Sequence, residues 1–248
     1  MTTWDLPRLR SLRLREPGFQ SSSRDAFDPR ATFYSADADC YAMFGYIPIK
    51  GIQNDDERYV NRLVLDFKEA EAPAISTIAT LVEESFASEP FWLDRTSFRG
   101  YAIAAPSSKQ GPGSQGVNQL LRKIAQPFGG VRREKLTLCP FLLDRFSALQ
   151  TPSHQQKKTA ADHLASIQVV QSVNDSNLAD KLWSVDPAGP RVILFDDVYT
   201  RGETFSACRK LLQAAMTESA SGYEATPYVS GFFIAKTWAR NLPSDLPF

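Results

Sequence analysis

The strongest constraint on the fold is the run Arg191-Val192-Ile193-Leu194-Phe195, an apolar stretch that stops abruptly at two carboxylates, Asp196 and Asp197. It has no alternating polar positions, so it predicts a strand covered on both faces. Val198-Tyr199-Thr200-Arg201-Gly202-Glu203-Thr204 follows, then a segment to Thr217 with Phe205, Cys208, Leu211 and Leu212 at helical spacing. In an open parallel sheet, ligands bind beyond the carboxyl ends of strands. Loop N–H groups and a helix N-terminus there attract an anion without any basic side chain. Thr200 and Thr204 add hydroxyl donors, and Gly202 permits close backbone approach. Two adjacent acids would repel that anion, so they should face hydroxyls or a divalent cation. A ribose with vicinal hydroxyls and a 5′-phosphate meets both demands. An Asp-Asp pair after a strand is also a common turn with a helix cap. The complete string is far more specific than the pair.

Elsewhere the pattern alternates between short apolar runs and helical segments. Residues 55–71 are helical around Tyr59, Leu63, Val64 and Phe67, and a second helix follows Pro73 with Ile75, Ile78, Val82 and Phe86 on one face, ended by Pro90. Tyr101 to Ala105 predicts a buried strand stopped by Pro106, followed by a Ser/Gly/Lys loop from Ser107 to Gly116. A helix carrying Val117, Leu120, Leu121, Ile124 and Phe128 comes next, then strands at Leu136–Cys139, Ile167–Val173 and Val229–Ala235. Residues 141–168 are polar and give no clear element apart from the start of the second of these strands. Strands separated by helices predict βαβ units: an α/β fold with a mainly parallel sheet flanked by helices.

The N-terminal part differs. Arg8, Arg10, Arg13, Arg15, Arg24 and Arg30 interleave with Leu6, Leu9, Leu12 and Leu14, while Pro7, Pro17 and Gly18 interrupt helical patterning. A loosely docked tail is one reading; an arm that binds a protein partner is the other. The aromatic-rich stretch 31–52 suits short strands in a packed extension. The division expected is residues 1–57 as an N-terminal extension of unknown role and 58–248 as the main domain.

Composition excludes several classes. The formal net charge is zero, giving no global attraction to nucleic acid or acidic membranes. The three cysteines, Cys40, Cys139 and Cys208, are far apart and form no zinc-ribbon spacing, so no protein-held metal centre is expected. No strand is followed by GxGxxG, which argues against a dinucleotide-binding oxidoreductase. No secretory or membrane-spanning run is present, so a cytoplasmic location is expected.

The stretch from Val192 to Thr204 resembles the phosphoribosyl pyrophosphate motif of type I phosphoribosyltransferases, and the ComF-like, competence-associated branch in particular. Arg62 to Lys68 resembles that branch's early helix ending in lysine. Ala105-Pro106, Lys109 and Gly116-Val117-Asn118-Gln119 resemble its pyrophosphate loop and the run after it, and Val229 to Trp238 its closing strand. The resemblance spans about residues 58–238, and its specificity is concentrated at 192–206. It implies a phosphoribosyltransferase (glycosyltransferase) fold binding phosphoribosyl pyrophosphate or a nucleotide with Mg²⁺, often as a homodimer. Asp196 and Asp197 would act on the ribose. Val198, Tyr199, Thr200, Arg201, Gly202, Glu203 and Thr204 would hold the 5′-phosphate, and Ser107, Ser108 and Lys109 would line the pyrophosphate side.

Departures leave the reaction open. The branch's zinc ribbon is missing, the arginine and aromatic ring of its Arg-Gly-Phe-Asn-Gln run are replaced by Gln115 and Val117, and its mobile-loop Arg and Asn positions hold Thr159 and Asp162. Lys157 and Lys158 either supply positive charge to pyrophosphate or form a solvated helix face. His154 and His163 have no sequence partner that would make them catalytic. The alternative to transfer is a non-catalytic nucleotide sensor acting through partners in DNA uptake, regulation or a bacterial defence complex.

Overall fold

The computed structural model describes residues 3–13, 33–35, 40–47, 51–87, 100–107, 111–112, 115–125, 136–139, 142–146, 159–170, 191–219 and 228–237. Its elements are α1 (Leu6–Leu12), β1 (Phe33–Ser35), β2 (Cys40–Tyr46), α2 (Asp55–Lys68), α3 (Ala72–Ala87), β3 (Gly100–Ala104), β4 (Gly111–Pro112) and α4 (Gln115–Ala125). There follow β5 (Leu136–Cys139), β6 (Leu143–Arg145), α5 (Ala160–Leu164), β7 (Ile167–Val169), β8 (Arg191–Tyr199), α6 (Glu203–Ser219) and β9 (Tyr228–Thr237).

The main sheet is six-stranded, in the order β1-β2-β9-β8-β3-β5. Every pairing from β2 to β5 is parallel, and only β1 joins antiparallel at its edge. The apolar run on β8 therefore lies inside the sheet, buried on both faces, as its lack of alternation predicts. Ile193 and Phe195 face one core with α2, α3 and α4; Val192 and Leu194 face the other with Phe205, Cys208 and Leu212 of α6. The architecture is α/β with helices on both sides.

A second sheet, β4-β6-β7, is three-stranded and antiparallel. Leu143 and Ile167 carry it onto the α6 side of the core. The segment Ile167–Val169 is thus a strand, but in this sheet rather than the parallel one. Gly111-Pro112 pairs with β6 inside the stretch expected to be loop, since Gly-Pro carries no strand signal and the pairing is made by its partner.

Leu6–Leu12 form a docked helix rather than a loose tail, while Arg15, Arg24 and Arg30 lie outside the described residues. Pro7 sits in the first turn of α1, where no N–H is needed, and the Asp5 side chain caps the helix through the Arg8 N–H. Leu9 and Trp4 are buried in the core beneath α2 and α3, and burying one such leucine contributes about 2 kcal/mol. Trp4 packs edge-on against Tyr59 at 5.1 Å, and the Arg8 guanidinium lies 4.3 Å from the same ring centre. Arg8 pairs with Asp56 and Arg10 with Glu84, both at 2.6 Å. These exposed pairs orient the helix more than they stabilise it. Residues before position 58 also supply β2, which hydrogen-bonds to β9 within the main sheet.

Asn61 of α2 closes the end of β2. Its amide Oδ1 accepts from the Ile47 N–H at 3.2 Å and its Nδ2 donates to the Ile47 carbonyl, with Asn61 only 3% exposed. Removing both contacts leaves two buried backbone groups unsatisfied. Asn61→Ala should therefore lower unfolding free energy by about 2 kcal/mol in urea titration, whereas Arg62→Ala on the exposed face should cost much less.

Candidate functional site

The sequence suggests that β8 ends at Phe195. Pairing with β9 continues instead through Asp196↔Phe233 and Val198↔Ala235 to Tyr199↔Lys236. Both acids thus stand on the strand, at the carboxyl edge of the sheet. The Phe195 carbonyl accepts from the Ala105 N–H at 2.8 Å, holding the end of β3 beside them. Adjacent strand residues point to opposite faces. Asp197 lies 3.7 Å from the ammonium of Lys68, the last residue of α2. Asp196 lies on the other side, where its charge acts on Cys208 and Arg145. A side chain on Gly116 would meet the Phe67 carbonyl oxygen at 2.0 Å, so glycine is required for α4 to press against the end of α2. That contact fixes the backbone from which Lys68 projects.

Burial, and next the charge of Asp197, push the Asp196 carboxyl well above the usual carboxylate range. The Asp197 N–H, Lys68 and Arg145 oppose this without reversing it. The sign follows: the folded state keeps this proton to higher pH than the unfolded chain. Stability is therefore present at low pH and lost as pH rises between the unfolded and folded pKa, on the order of 1 kcal/mol per unit. Asp196→Asn should raise the melting temperature at pH 7, with the gain vanishing near pH 4. Equal gains at both pH values would show that ionisation is not the cause.

The loop after β8 is held by Tyr199 and Lys236. The Tyr199 ring packs edge-on against Phe233 at 4.9 Å, and Lys236 Nζ lies 4.5 Å from its centre. Lys236 donates to the Thr200 carbonyl at 2.7 Å. The Tyr199 ring thus supports the loop that the resemblance associates with phosphate. Gly202 has φ +79°, and a β-carbon there would lie 2.3 Å from the Tyr199 hydroxyl. Glu203 is the first residue of α6, where an acid favours the helix dipole; it makes no ion pair with Arg201 among the described residues. Gly202→Ala should cost about 1–3 kcal/mol in urea unfolding. Adding Tyr199→Phe should recover part of that loss, because the clashing hydroxyl is gone.

Two further residues meet at this site that sequence reasoning left aside. Arg145 of β6 is fully buried. Its Nε donates to the Ser107 carbonyl at 2.5 Å, its Nη1 to the Ser166 hydroxyl, and its Nη2 faces His163 Nδ1 at 3.3 Å. The same His163 nitrogen lies 3.2 Å from Thr204 Oγ1. No arginine in a polar, weakly patterned segment announces its burial. The signal available was the position of Arg145 between Leu143 and an antiparallel partner strand, visible only once β6 is assigned.

The structure brings together Asp196, Asp197, Tyr199, Thr200, Gly202 and Thr204 at the β8–α6 junction and ties Ser107 to Thr204 through Arg145 and His163. The Val198 side chain is partly buried against the α2–α4 core, and Arg201 is exposed beside Gly202. Ser108, Lys109, His154, Lys157 and Lys158 lie outside the described residues, as do Pro90 and Phe128. Thr159 caps α5 through a reciprocal pair with Asp162, so the two positions that depart from the mobile-loop pattern are joined in a capping box. Among the described residues, no group of three or more His, Cys, Asp or Glu side chains converges to hold a metal ion, and no helix is long and apolar enough to cross a membrane. No protein-family model matches this sequence, and comparison with curated proteins gives no match.

Proposed function

We propose that the β8–α6 junction binds the ribose 5-phosphate part of phosphoribosyl pyrophosphate or of a nucleotide, and that the chain has the type I phosphoribosyltransferase fold. One observation carries this reading: a parallel strand delivers two carboxylates to the sheet edge, and the chain then turns through Gly202 at positive φ directly into α6. Asp196 and Asp197 would accept from ribose hydroxyls. The N–H groups of the Thr200–Thr204 turn and the start of α6 would receive the phosphate, aided by the Arg201 side chain. Ser107 would face the pyrophosphate.

Among the described residues no cluster of three His, Cys, Asp or Glu ligands forms, so Mg²⁺ would be held mostly by substrate oxygens, with either acid adding at most one ligand. Bound there, Mg²⁺ would neutralise charge on pyrophosphate. In transfer, the anomeric C–O bond breaks with its electron pair leaving on pyrophosphate, and a nitrogen lone pair of the acceptor forms the new bond. The carboxylates stabilise the cationic sugar between those events, so catalysis is positioning and charge complementarity.

Titration calorimetry with phosphoribosyl pyrophosphate and ribonucleotides in Mg²⁺ tests this. Wild type should bind and Asp196→Asn/Asp197→Asn should lose at least about tenfold in affinity, a difference of roughly 1.4 kcal/mol. Absence of binding to wild type would sink the ligand site. Pyrophosphate release on adding nucleobases would identify the transferase; tight binding without release would identify the nucleotide sensor.

A further inference from the structure

We infer that Arg145 and His163 form a positioning unit for the proposed phosphate seat, setting the Ser107 carbonyl on one side and the Thr204 hydroxyl on the other. This rests on reading the β8–α6 junction as that seat.

The first ground is the charge. A buried guanidinium is costly unless a carboxylate pairs with it, and Arg145 makes no such ion pair among the described residues. Its donors go to neutral acceptors instead: a backbone carbonyl, a serine hydroxyl and an imidazole nitrogen. Among the described carboxylates only Asp196 acts on it, through space and without an ion pair, so the positive charge is offset in part and burial shields the remainder from salt. An anion arriving between Ser107 and Thr204 gains from it.

The second ground is proton placement. Arginine can only donate, so Nδ1 of His163 is an acceptor and the imidazole carries its proton on Nε2. Thr204 meets that same lone pair. The contact selects the Thr204 rotamer with its hydroxyl toward α5, rather than one that presents the methyl group there. When a phosphate oxygen accepts the Thr204 O–H hydrogen bond, Nδ1 keeps its bond from Arg145. The hydroxyl is thus parked on an acceptor that can release it without being left bare.

Calorimetry on the full chain with inorganic phosphate and with ribose 5-phosphate tests the unit, using variants whose folding is verified by circular dichroism and melting. Thr204→Val and His163→Phe should each weaken both ligands about tenfold, and the double variant should be no weaker than about tenfold, because they remove one linked element. His163→Asn keeps an acceptor near the Nδ1 position and should restore binding to within about threefold. Arg145→Lys keeps the charge but loses the fork, and should weaken binding by about tenfold. A folded His163→Phe that binds like wild type, or losses that multiply to about a hundredfold in the double variant, would overturn the positioning role alone. Phosphate binding with this pattern but no added affinity for ribose 5-phosphate would keep the unit and overturn the sugar reading. Wild type that binds neither ligand overturns both.

Discussion

Charge held at the carboxyl edge of a buried parallel strand organises this protein. Asp196 cannot be moved into solvent, because β8 is paired with β9 past the acids as far as Tyr199. It cannot be ionised cheaply either, with Asp197 next to it and protein packed around it. The surrounding cations are arranged to limit that cost from two faces: Lys68 from the end of α2 and Arg145 from the small antiparallel sheet. Neither forms a short ion pair with Asp196, so the carboxyl remains raised and its bonding capacity remains available. An arrangement that costs stability in the free protein is what a ligand can relieve.

The folding of remote segments serves that edge. Asn61, midway along α2, fixes it to the end of β2, and Gly116 lets α4 close on its C-terminal end. α2 is thereby held at its middle and its end, and Lys68 emerges from its last turn in a defined place. The N-terminal helix adds a second layer of support, since Trp4, Leu9 and the Arg8–Asp56 pair all bear on α2 or its core. The arginine-rich start of the chain thus has an intramolecular task at Arg8 and Arg10.

Much of the architecture was legible because its signals are local. The unbroken apolar run of β8 forces burial on both faces, and the periodicity of α2, α3, α4 and α6 gives each helix its inner side. The antiparallel sheet was not legible. Leu143-Asp144-Arg145 and Gly111-Pro112 are too short to carry a period, and they become strands only through each other. The site divided in the same way. Asp196, Asp197, Gly202 and Thr204 lie in one continuous string and could be read together. The packing of Tyr199 could not be read from that string, because its ring turns back on Phe233, which lies on a different strand. Arg145 and His163 reach Thr204 only by tertiary contact, and both come from the stretch with the least pattern.

That division has a physical consequence for specificity. The turn proposed to hold phosphate and its two acids are one continuous product of β8, Gly202 and α6, so under that proposal any ligand bearing a ribose 5-phosphate would meet the same contacts. Ser107 and Thr204 are also linked through side chains of Arg145 and His163, which belong to β6 and α5. The spacing between the two sides of the proposed seat is therefore set by β6 and α5 as well as by the pairing of β3 with β8 in the main sheet. A ligand with anionic groups at both ends is measured by that spacing, whereas a ligand with a single phosphate is not. Under the proposed function, discrimination between the two would fall on the segment whose sequence departs furthest from the resemblance, while the phosphate contacts would stay in the segment that keeps it.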